Sequence, residues 1–431
     1  MPIPSSVASD SQIPTKVDVA IIGGGIAGVV TALELAERGQ KVAIFDKGII
    51  AGEQSSRNWG WCRKMGRDPR ELPLIKIALQ LWREMRQRTG EDVGFVECGI
   101  AYLCDTDKSL EKRAKWLETY GQAHGLSSRM IGPEEAEALA PGSTVSWKGG
   151  LVTPDDGRAE PTLAVPAMAR AAQRLGATIH QNCAVRGLDI EAGRIAGIVT
   201  ETARVKAEQT VLAGGVWSRR LLDNQGFFLP QLGVVNSVMR TKPMETAISH
   251  SIAGGQFAIR KRSDGGYTLA HSIYNTADIL PDSFRLLRHF LPTLKDEWRD
   301  FRFRIGSRFF EEARLKRRWS LDEASPFEAI RCLDPAPVPS IQNEAITSLH
   351  RTLPMFRAAD IAESWAGVID VVPDVVPVIG PVETCPGLYI LTGLSGHGFG
   401  LGPGAGKLMA EIVSGEEPCV DPSPFRYARF Q

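Results

Sequence analysis

The fold is decided by one stretch near the start of the chain, Val17-Asp-Val-Ala-Ile-Ile-Gly-Gly-Gly-Ile-Ala-Gly28. Its first half is a short β-branched run, which predicts a strand buried on both faces. Residues 29–38 follow the glycines with recurring Ala and Leu, and they predict a helix that ends at Gly39. Residues 41–45 predict a second strand, which closes at Asp46. This order of strand, glycine turn, helix, strand and acid predicts one βαβ unit of about 30 residues.

Each glycine of this turn has its own predicted task. Gly23 permits the tight turn, Gly25 lets the backbone approach a pyrophosphate, and Gly28 lets the helix pack against the strand. The phosphates then face the helix N-terminus, where free amides and the helix dipole favour anions. Asp46, 18 residues beyond Gly28, is placed to accept hydrogen bonds from ribose hydroxyls, and the lack of a neighbouring Arg disfavours a 2′-phosphate. The unit therefore predicts binding of a dinucleotide.

Composition and charge argue against several other classes of protein. The 431 residues suggest two or three domains, and 50 basic side chains balance 50 acidic ones, so no net charge attracts nucleic acid or an anionic membrane. The seven cysteines are scattered without a C-x-x-C pair, which favours reduced thiols in a cytoplasm. Residues 1–16 are polar, lack the pattern of a signal peptide and predict a disordered lead-in. No apolar run suits a transmembrane helix, and no ligand spacing predicts a metal site.

Three later segments resemble one superfamily of flavoproteins. Residues 52–63, Gly-Glu-Gln-Ser-Ser-Arg-Asn-Trp-Gly-Trp-Cys-Arg, resemble the flavin-contacting loop of the superfamily that includes glycine oxidase, sarcosine oxidase and D-amino-acid dehydrogenase. Residues 209–218 resemble the strand and glycine turn that these proteins place beside the first fingerprint. Residues 365–380, followed by the glycine-rich residues 387–406, resemble their C-terminal flavin motif. The resemblance covers most of the chain and is loose over residues 240–345.

The resemblance implies an α/β fold with a Rossmann-like FAD-binding domain that is discontinuous in sequence. The predicted pieces of that domain are residues 17–90, 150–236 and 360–431. Residues 91–149 and 237–359 are predicted to form an inserted α+β substrate domain with a mixed sheet.

The predicted cofactor is FAD, held without a covalent bond. Neither Cys332 nor Cys385 matches the position where the superfamily attaches flavin to a cysteine, and Arg57 stands where an attaching histidine would serve. The fingerprint and the resemblance together predict the residues that contact FAD, which are Gly23, Gly25, Ile26, Ala27, Gly28, Asp46, Lys47, Ser55, Ser56, Arg57, Asn58, Gly60, Trp61, Val185, Ala213, Gly214, Gly215, Trp217, Gly396, His397, Gly398, Gly400 and Gly402.

The resemblance implies hydride transfer to flavin N5 from a carbon next to nitrogen in a small amine or amino acid, which gives an imine that hydrolyses. Positioning of the substrate should supply most of the rate. A substrate carboxylate calls for an Arg clamp, and sarcosine-oxidase-like proteins carry one shortly after the Ser-Ser pair. The predicted catalytic residues are Arg63, Lys64 and His397. The predicted substrate contacts are Trp59, Arg67, Arg260, Tyr267, Tyr274 and Arg308. An ion pair or a packing role is the alternative for each of these residues.

The leading interpretation is an enzyme that oxidises a D-amino acid or a secondary amine, with O₂ or a quinone as electron acceptor. One alternative is an L-amino-acid or hydroxyproline-type dehydrogenase that passes electrons to a quinone. Another is a flavin-carrying subunit of a larger complex. An NAD dehydrogenase is the weakest alternative, because it leaves the C-terminal glycine loop unexplained. The expected location is the cytoplasm, or the inner-membrane surface if a quinone accepts the electrons.

Overall fold

The computed structural model describes residues 2–431, except for the side chains of residues 296 and 297. Its strands, in chain order, are β1 (Lys16–Ile22), β2 (Val42–Phe45), β3 (Trp61–Cys62), β4 (Ile100–Cys104), β5 (Arg129–Ile131), β6 (Gly149–Thr153), β7 (Gly157–Arg158), β8 (Thr178–His180), β9 (Val185–Glu191), β10 (Arg194–Thr200), β11 (Arg204–Leu212), β12 (Leu232–Thr241), β13 (Ser251–Gly254), β14 (Phe257–Lys261), β15 (Tyr267–His271), β16 (Asn275–Asp278), β17 (Phe301–Arg304), β18 (Ile361–Val371), β19 (Val378–Pro381) and β20 (Leu388–Thr392).

The α-helices alternate with these strands along much of the chain, so the predicted α/β class is confirmed. In chain order they are α1 (Ile26–Glu37), α2 (Gln54–Arg57), α3 (Leu72–Thr89), α4 (Asp107–Trp116), α5 (Pro133–Leu139), α6 (Pro161–Arg174), α7 (Ser218–Gln225), α8 (Pro281–Arg285), α9 (Leu287–Glu297), α10 (Ser307–Arg314), α11 (Pro326–Ala329), α12 (Pro339–Thr352) and α13 (Gly398–Ser414). Within residues 2–431, none of the helices is both long and apolar enough to cross a membrane.

The smaller main sheet contains the predicted βαβ unit. Its strand order is β19-β20-β11-β1-β2-β8, and β9 and β10 join it through β11. Strand β1 runs parallel to both β2 and β11, with Ile21 opposite Ile44 on one side and Val211 on the other. Helices α1, α3, α6 and α13 bury one apolar core together with this sheet. Two glycines let α13 approach α1 closely, since a Cβ on Gly402 or Gly406 would lie 2.7 or 2.6 Å from α1 side chains.

The larger sheet corrects the predicted domain boundaries. Its strand order is β17-β16-β12-β15-β14-β13-β4-β6-β5, and β18 pairs with β12. Strands β6 and β18 and the start of β12 were assigned to the FAD-binding domain by the predicted boundaries at residues 150, 236 and 360, yet they belong to this sheet. The physical reason is the long antiparallel ladder between β12 and β18, from Leu232 opposite Val371 to Thr241 opposite Ile361. The predicted boundaries at residues 150 and 236 therefore fall inside single strands of the larger sheet.

The predicted disorder of residues 1–16 is also wrong, as far as residues 2–16 are described; Met1 lies outside the described residues. The Ser5 amide donates to the Thr162 carbonyl oxygen at 2.9 Å, and Asp10 exchanges two hydrogen bonds with the Ile179 backbone, both of 2.7 Å. Ile179 belongs to β8, which ends the strand order of the smaller sheet. An edge strand leaves backbone groups unpaired, and the N-terminal segment supplies partners for them.

Candidate active site

A cavity of about 1440 Å³, counted with its open mouth, lies where the C-terminal ends of β1, β2, β11 and β20 come together. Ligands of open α/β sheets bind at this edge. Both glycine-rich stretches reach it. The predicted FAD contacts that line it are Gly23, Gly25, Ile26, Ala27, Asp46, Lys47, Ser55, Arg57, Asn58, Val185, Ala213, Gly214, Gly215, Trp217, Gly396 and Gly398.

The fingerprint turn has the geometry that its sequence predicts. A Cβ on Gly23 would lie 2.3 Å from the Ala213 carbonyl oxygen, and a Cβ on Gly28 would lie 2.1 Å from the Gly23 carbonyl oxygen. Gly28 therefore permits close packing and does not itself line the cavity. At Gly25, the neighbour that a Cβ would meet is Ser55 Oγ, at 3.2 Å, so this Cβ would enter the cavity. Ser55 Oγ also accepts a hydrogen bond of 2.8 Å from the Ile26 amide.

Asp46 ends β2 with a buried carboxyl group at the cavity wall. Its Oδ2 accepts from the Gly24 amide at 2.6 Å and its Oδ1 accepts from the Gly48 amide at 2.7 Å. Burial raises the pKa of Asp46, while these two hydrogen bonds act in the opposite direction. Each carboxylate oxygen keeps further acceptor capacity, which suits the ribose hydroxyls predicted to bind there.

Several predicted FAD contacts do not line the cavity, and packing explains each of them. A Cβ on Gly400 would lie 3.1 Å from the Trp61 carbonyl oxygen, and one on Gly60 would lie 2.5 Å from the Ala159 carbonyl oxygen. Gly402 faces Ile26 of α1. Ser56 Oγ donates to the Glu53 carbonyl oxygen at 3.3 Å. The residues concerned are Gly28, Ser56, Gly60, Trp61, His397, Gly400 and Gly402.

A buried polar cluster around Asp370 was missed by the sequence analysis. Asp370 lines the cavity, and its Oδ1 accepts from Gln54 Nε2 at 2.8 Å. Its Oδ2 accepts from the Gly393 amide at 2.7 Å and from Gln231 Nε2 at 3.2 Å. Burial raises the pKa of Asp370, and these donors oppose that rise. Asp370 thus joins the flavin loop to the turn that follows β20. The one sequence signal was an acid inside the apolar run of residues 365–380.

Arg63 and Lys64, the two predicted catalytic cations near the flavin loop, differ in the partners of their charged groups. Lys64 is buried and its Nζ is ion-paired with Asp155, so its ammonium group is already engaged. Arg63 Nη1 donates to the Met65 carbonyl oxygen, and its guanidinium lies 5.8 Å from the centre of the Tyr102 ring. The Arg63 amide lies against the α13 glycines, 3.5 Å from where a Cβ on Gly400 would stand. Arg63 therefore packs against Gly400 of α13 without lining the cavity, whereas Lys64 serves an ion pair.

Arg67, predicted as a substrate contact, is buried next to Arg63. Its exposed fraction is 3%, and its Nε donates to the Arg63 carbonyl oxygen at 3.2 Å. Its Nη1 finds no hydrogen-bond partner within residues 2–431. Burial, followed by the nearby Arg63 charge, lowers the pKa of Arg67 to about 9. Arg67 is close enough to His397 to lower the pKa of that imidazole, so it lies beside the glycine loop.

His397 stands between the cavity-lining glycines Gly396 and Gly398, and its ring is turned away from the cavity. Its Nδ1 lies 3.0 Å from the carboxylate of the buried Glu71. Burial lowers the pKa of His397. Burial alone would raise the pKa of Glu71, but His397 and then Arg67 bring it below its ordinary value. The contact with Glu71 therefore holds the His397 ring in place, which is a positioning role.

Three further predicted substrate contacts have polar groups that already bind other parts of the protein. Arg260 is buried in a two-point ion pair with Glu160, with N–O distances of 2.7 and 3.2 Å. Arg308 pairs with Asp278 at 2.8 Å. The Tyr267 hydroxyl donates to the Ile248 carbonyl oxygen at 2.6 Å inside the core of the larger sheet.

Two aromatic candidates behave differently from each other. The Arg302 guanidinium lies over the Tyr274 ring, 4.1 Å from the centre of that ring. Trp59 Nε1 donates to Asn236 Oδ1 at 2.9 Å, and Asn236 lines the cavity. The rings of Trp59 and Trp61 meet edge to face at 5.6 Å. Trp59 is thus linked to the cavity wall, and Asn236 is a wall residue that the sequence analysis missed.

The cavity suits FAD on structural grounds. The N-cap residues are Gly25 for α1 and His397 for α13, and neither helix has a side-chain capping hydrogen bond from its N-cap within residues 2–431. Both helix N-termini therefore offer amide donors and positive dipole ends. The open space above Gly25 is where a diphosphate would approach α1. The far end, at Gly396 and Gly398, would then hold the flavin ring.

Comparisons with known proteins were made over the whole chain. Glycine oxidase from Geobacillus kaustophilus is 26% identical, over 96% of this chain and 97% of its own length. The solved L-amino acid deaminase from Proteus myxofaciens, in complex with anthranilate, is 33% identical, with a TM-score of 0.95 over 99% of this chain and 96% of that chain. The L-amino acid deaminase from Proteus vulgaris is 31% identical, with a TM-score of 0.94 over 99% of this chain and 100% of that chain.

The family described as FAD dependent oxidoreductase matches residues 18–412. That range contains the fingerprint turn, the flavin loop and the glycine loop of α13, which are the features that build the cavity. The resemblance drawn from the sequence is confirmed, FAD is the cofactor, and the NAD alternative is set aside. The chain therefore belongs to the family of FAD-dependent oxidoreductases.

Proposed function

We propose that the protein oxidises the C–N bond of an amino acid or an N-substituted amino acid. Bound FAD would accept the Cα hydrogen together with the electron pair of the Cα–H bond, and the nitrogen would lose a proton. The imine that forms is hydrolysed by water to an oxo acid and ammonia or an amine. Relatives named glycine oxidase and sarcosine oxidase subunit beta support this class of substrate. The observation that carries the proposal is the buried guanidinium of Arg67, whose Nη1 finds no hydrogen-bond partner within residues 2–431.

The Arg67 guanidinium is buried beside Arg63, and the nearby charges of Glu71 and Asp156 offset only part of the resulting fall in its pKa. Arg67 and Arg63 repel each other, and the Nη1 group of Arg67 finds no partner in residues 2–431. An unsatisfied buried donor costs about 1–3 kcal/mol, and more when it is charged. A substrate carboxylate would accept from Arg67, relieve the repulsion and restore the pKa of the guanidinium. We assign Arg67 as the carboxylate clamp, with Arg63 as its neighbour.

The other residues of the site orient the substrate and the cofactor. When bound, FAD supplies the two-electron acceptor. The N-terminus of α13 brings a positive dipole end to the Gly396 side of the cavity, where negative charge develops during reduction. Asn236 and the Trp59 indole form a wall on the side of the larger sheet. The Glu71–His397 contact holds the glycine loop in place. Within this proposal, catalysis depends on positioning, and the chain supplies no covalent nucleophile.

The L-amino-acid alternative, with a quinone as acceptor, is favoured by two observations. The solved structures at 33% and 31% identity are both L-amino acid deaminases. The second observation is a concentration of exposed apolar side chains in residues 273–310, with exposed fractions between 43% and 73%. We call this set the apolar patch; it consists of Ile273, Phe284, Leu287, Leu291, Trp298, Phe303, Ile305 and Phe310.

This apolar patch suits a membrane surface better than bulk water. Residues 283–310 contain seven Lys and Arg against three Asp and Glu, although the whole chain has a net charge of +0. Apolar side chains mixed with basic ones favour anionic bilayers, where a quinone dissolves. The proposed location is thus the cytoplasm, with peripheral attachment at the inner membrane through this patch.

The proposal is tested by anaerobic titration of the purified FAD-loaded protein. A panel of L- and D-amino acids, N-methyl amino acids and simple amines is added while the flavin absorbance is followed. We expect bleaching by amino acids and none by the matching amines that lack a carboxylate. Peroxide formed on admission of air would identify O₂ as the acceptor, and its absence together with quinone reduction would support the dehydrogenase. A flavin that no amino acid reduces would contradict the proposal and favour a subunit without its own activity.

The membrane attachment is tested by sedimentation with anionic liposomes. The double variant Phe303→Ser with Ile305→Ser should lose most of its binding, because both side chains are at least half exposed in the apolar patch. Leu175→Ser is the matched control, since Leu175 is 50% exposed on the other half of the protein. Equal liposome binding by both variants would contradict attachment through the apolar patch. The flavin titration with amino acids tests the reaction separately.

A further inference from the structure

A strap of residues 326–334 crosses one end of the FAD cavity. In sequence it lies between β17 and β18 of the larger sheet, yet Phe327 and Arg331 line the cavity. Phe327 also belongs to the apolar core of the smaller sheet. The strap meets the cavity at Asp46, the end where the fingerprint places the ribose of the adenosine moiety.

An ion pair and a lysine tie the strap to the cofactor half. Arg331 holds Glu201 through two parallel N–O contacts, each of 2.6 Å. Lys47, which follows Asp46 directly, donates to the carbonyl oxygens of Ile330 at 2.9 Å and Arg331 at 3.1 Å. Lys47 is therefore occupied by the strap, even though it lines the cavity.

Further backbone contacts hold the strap against the loop that follows β2. The Leu333 amide donates to Glu53 Oε1 at 2.9 Å, and Arg57 Nη1 donates to the Leu333 carbonyl oxygen at 2.8 Å. A Cβ on Gly48 would lie 2.4 Å from the Arg331 carbonyl oxygen. The strap thus lies directly against the loop that follows β2, and this contact requires a glycine at position 48.

The apolar side of the strap forms a rigid aromatic group. The Phe327 ring packs edge to face with Trp217 at 5.9 Å and with Trp319 at 5.4 Å. Phe327, Val185 and Leu221 all line the same end of the cavity. A flat apolar surface next to a ribose-binding acid is suited to a purine ring.

We propose that the strap is the outer wall of the adenosine pocket and that the Arg331–Glu201 ion pair sets the rate at which FAD leaves. FAD bound beneath the strap cannot depart until the contacts of Arg331 and Lys47 break. Since an Arg–carboxylate fork is stronger than a neutral hydrogen bond, its loss should be visible in the dissociation rate. The inference rests on FAD binding and not on the identity of the substrate.

The test is the dissociation rate of FAD from the loaded protein after dilution, followed by the rise of free FAD fluorescence. We expect Arg331→Ala to speed dissociation about tenfold and Arg331→Lys to do so less, because a single ammonium cannot form the fork. Glu201→Gln should match Arg331→Ala, although Glu201 does not line the cavity. The double variant should be no faster than either single one if the pair acts as a unit.

The matched control is Arg204→Ala, which removes an ion pair with Asp189 on the same half of the protein, where the Arg204 side chain is 56% exposed. It should leave the dissociation rate unchanged. Dissociation rates within twofold of the original protein for both Arg331→Ala and Glu201→Gln would overturn the proposal. Equal acceleration by Arg204→Ala would also overturn it, because the effect would then be general destabilisation. Glu201→Gln keeps the test decisive if Arg331→Ala does not fold.

Discussion

The imidazole Nδ1 of His397 lies 3.0 Å from one carboxylate oxygen of Glu71 and 3.1 Å from the other. Glu71 is the N-cap residue of α3 and His397 is the N-cap residue of α13, so the contact joins the starts of two helices. Because the glycines on both sides of His397 line the FAD cavity, this contact fixes the shape of the cavity at the flavin end.

Removal of the imidazole should destabilise the fold. In His397→Ala the buried Glu71 loses this partner, and we expect the free energy of unfolding to fall by about 2 kcal/mol. Glu71→Gln should cost less, because its amide oxygen still accepts from the imidazole. Urea unfolding of the apoprotein measures both. Equal stability of His397→Ala and the original protein would show that the contact does not hold the loop.

Gly25→Val should abolish flavin binding, because its side chain would occupy the space of the diphosphate. Gly132→Val is a closely matched control. Both glycines are helix N-caps in the same extended conformation, with φ and ψ of −74° and 175° at Gly25 and −80° and 177° at Gly132. A Cβ on Gly132 meets nothing within 4 Å among residues 2–431. The measurement is the ratio of flavin to protein absorbance after purification. A yellow Gly25→Val protein would refute the placement of the pyrophosphate.

Arg67→Ala should weaken binding of an amino-acid substrate. We expect KM to rise about tenfold or more, with FAD content unchanged, since a charge-assisted bidentate contact is lost. Arg67→Lys should recover only part of this affinity. The exposed Arg86→Ala on α3 is the control and should behave as the original protein. Unchanged KM in Arg67→Ala would remove Arg67 as the clamp, and the same experiment on Arg63→Ala would then examine its neighbour.

The stability of the strap should depend on pH through Glu328. Hydrogen bonds lower the pKa of Glu328 from 4.5 to about 2. The bond from Arg186 makes the largest contribution, and bonds from Ser325 add to it. Because the folded-state pKa lies below the unfolded-state value, the contact stabilises the protein fully above pH 4.5 and is lost as the pH falls toward 2. Glu328→Gln should cost about 1 kcal/mol at neutral pH, allowing for partial exposure, and less as the pH falls below about 4.

Urea unfolding at neutral pH and at a pH below about 4 measures this difference. Glu323→Gln is the control, because its carboxylate is 56% exposed and lies 4.0 Å from Lys316. A stability gap between Glu328→Gln and the original protein that stays constant or widens on acidification would contradict the assignment.

The sequence was sufficient for the parts of the site that depend on local backbone geometry. Gly23 and Gly28 mark the turn because only glycine tolerates such close approach of the neighbouring backbone, and Gly25 keeps the cavity open above α1. The two glycine stretches were placed together by family resemblance, and the cavity lies between them. Interior sheet strands were found from their apolar runs. The sequence did not predict which sheet each strand joins, because β12 and β18 pair in a ladder that no local sequence pattern marks.

The cavity residues that the sequence did not predict depend on long-range contacts. Phe327 and Arg331 come from a segment far along the chain. Asp370 is held at the cavity by a hydrogen bond from Gln54, more than three hundred residues earlier. Periodicity carries no information about such partners. The opposite error affected Arg260, Arg308 and Lys64, where a cation suited to a substrate carboxylate has an acidic side chain of the protein as its partner.

The most direct test is rapid anaerobic mixing of the FAD-loaded protein with an amino acid that carries either hydrogen or deuterium at Cα. The account predicts that the flavin absorbance bleaches in a single turnover, more slowly with deuterium, and that one oxo acid forms per flavin reduced. A flavin that stays oxidised with every amino acid offered, or that bleaches at the same rate with either isotope and yields no oxo acid, would contradict it.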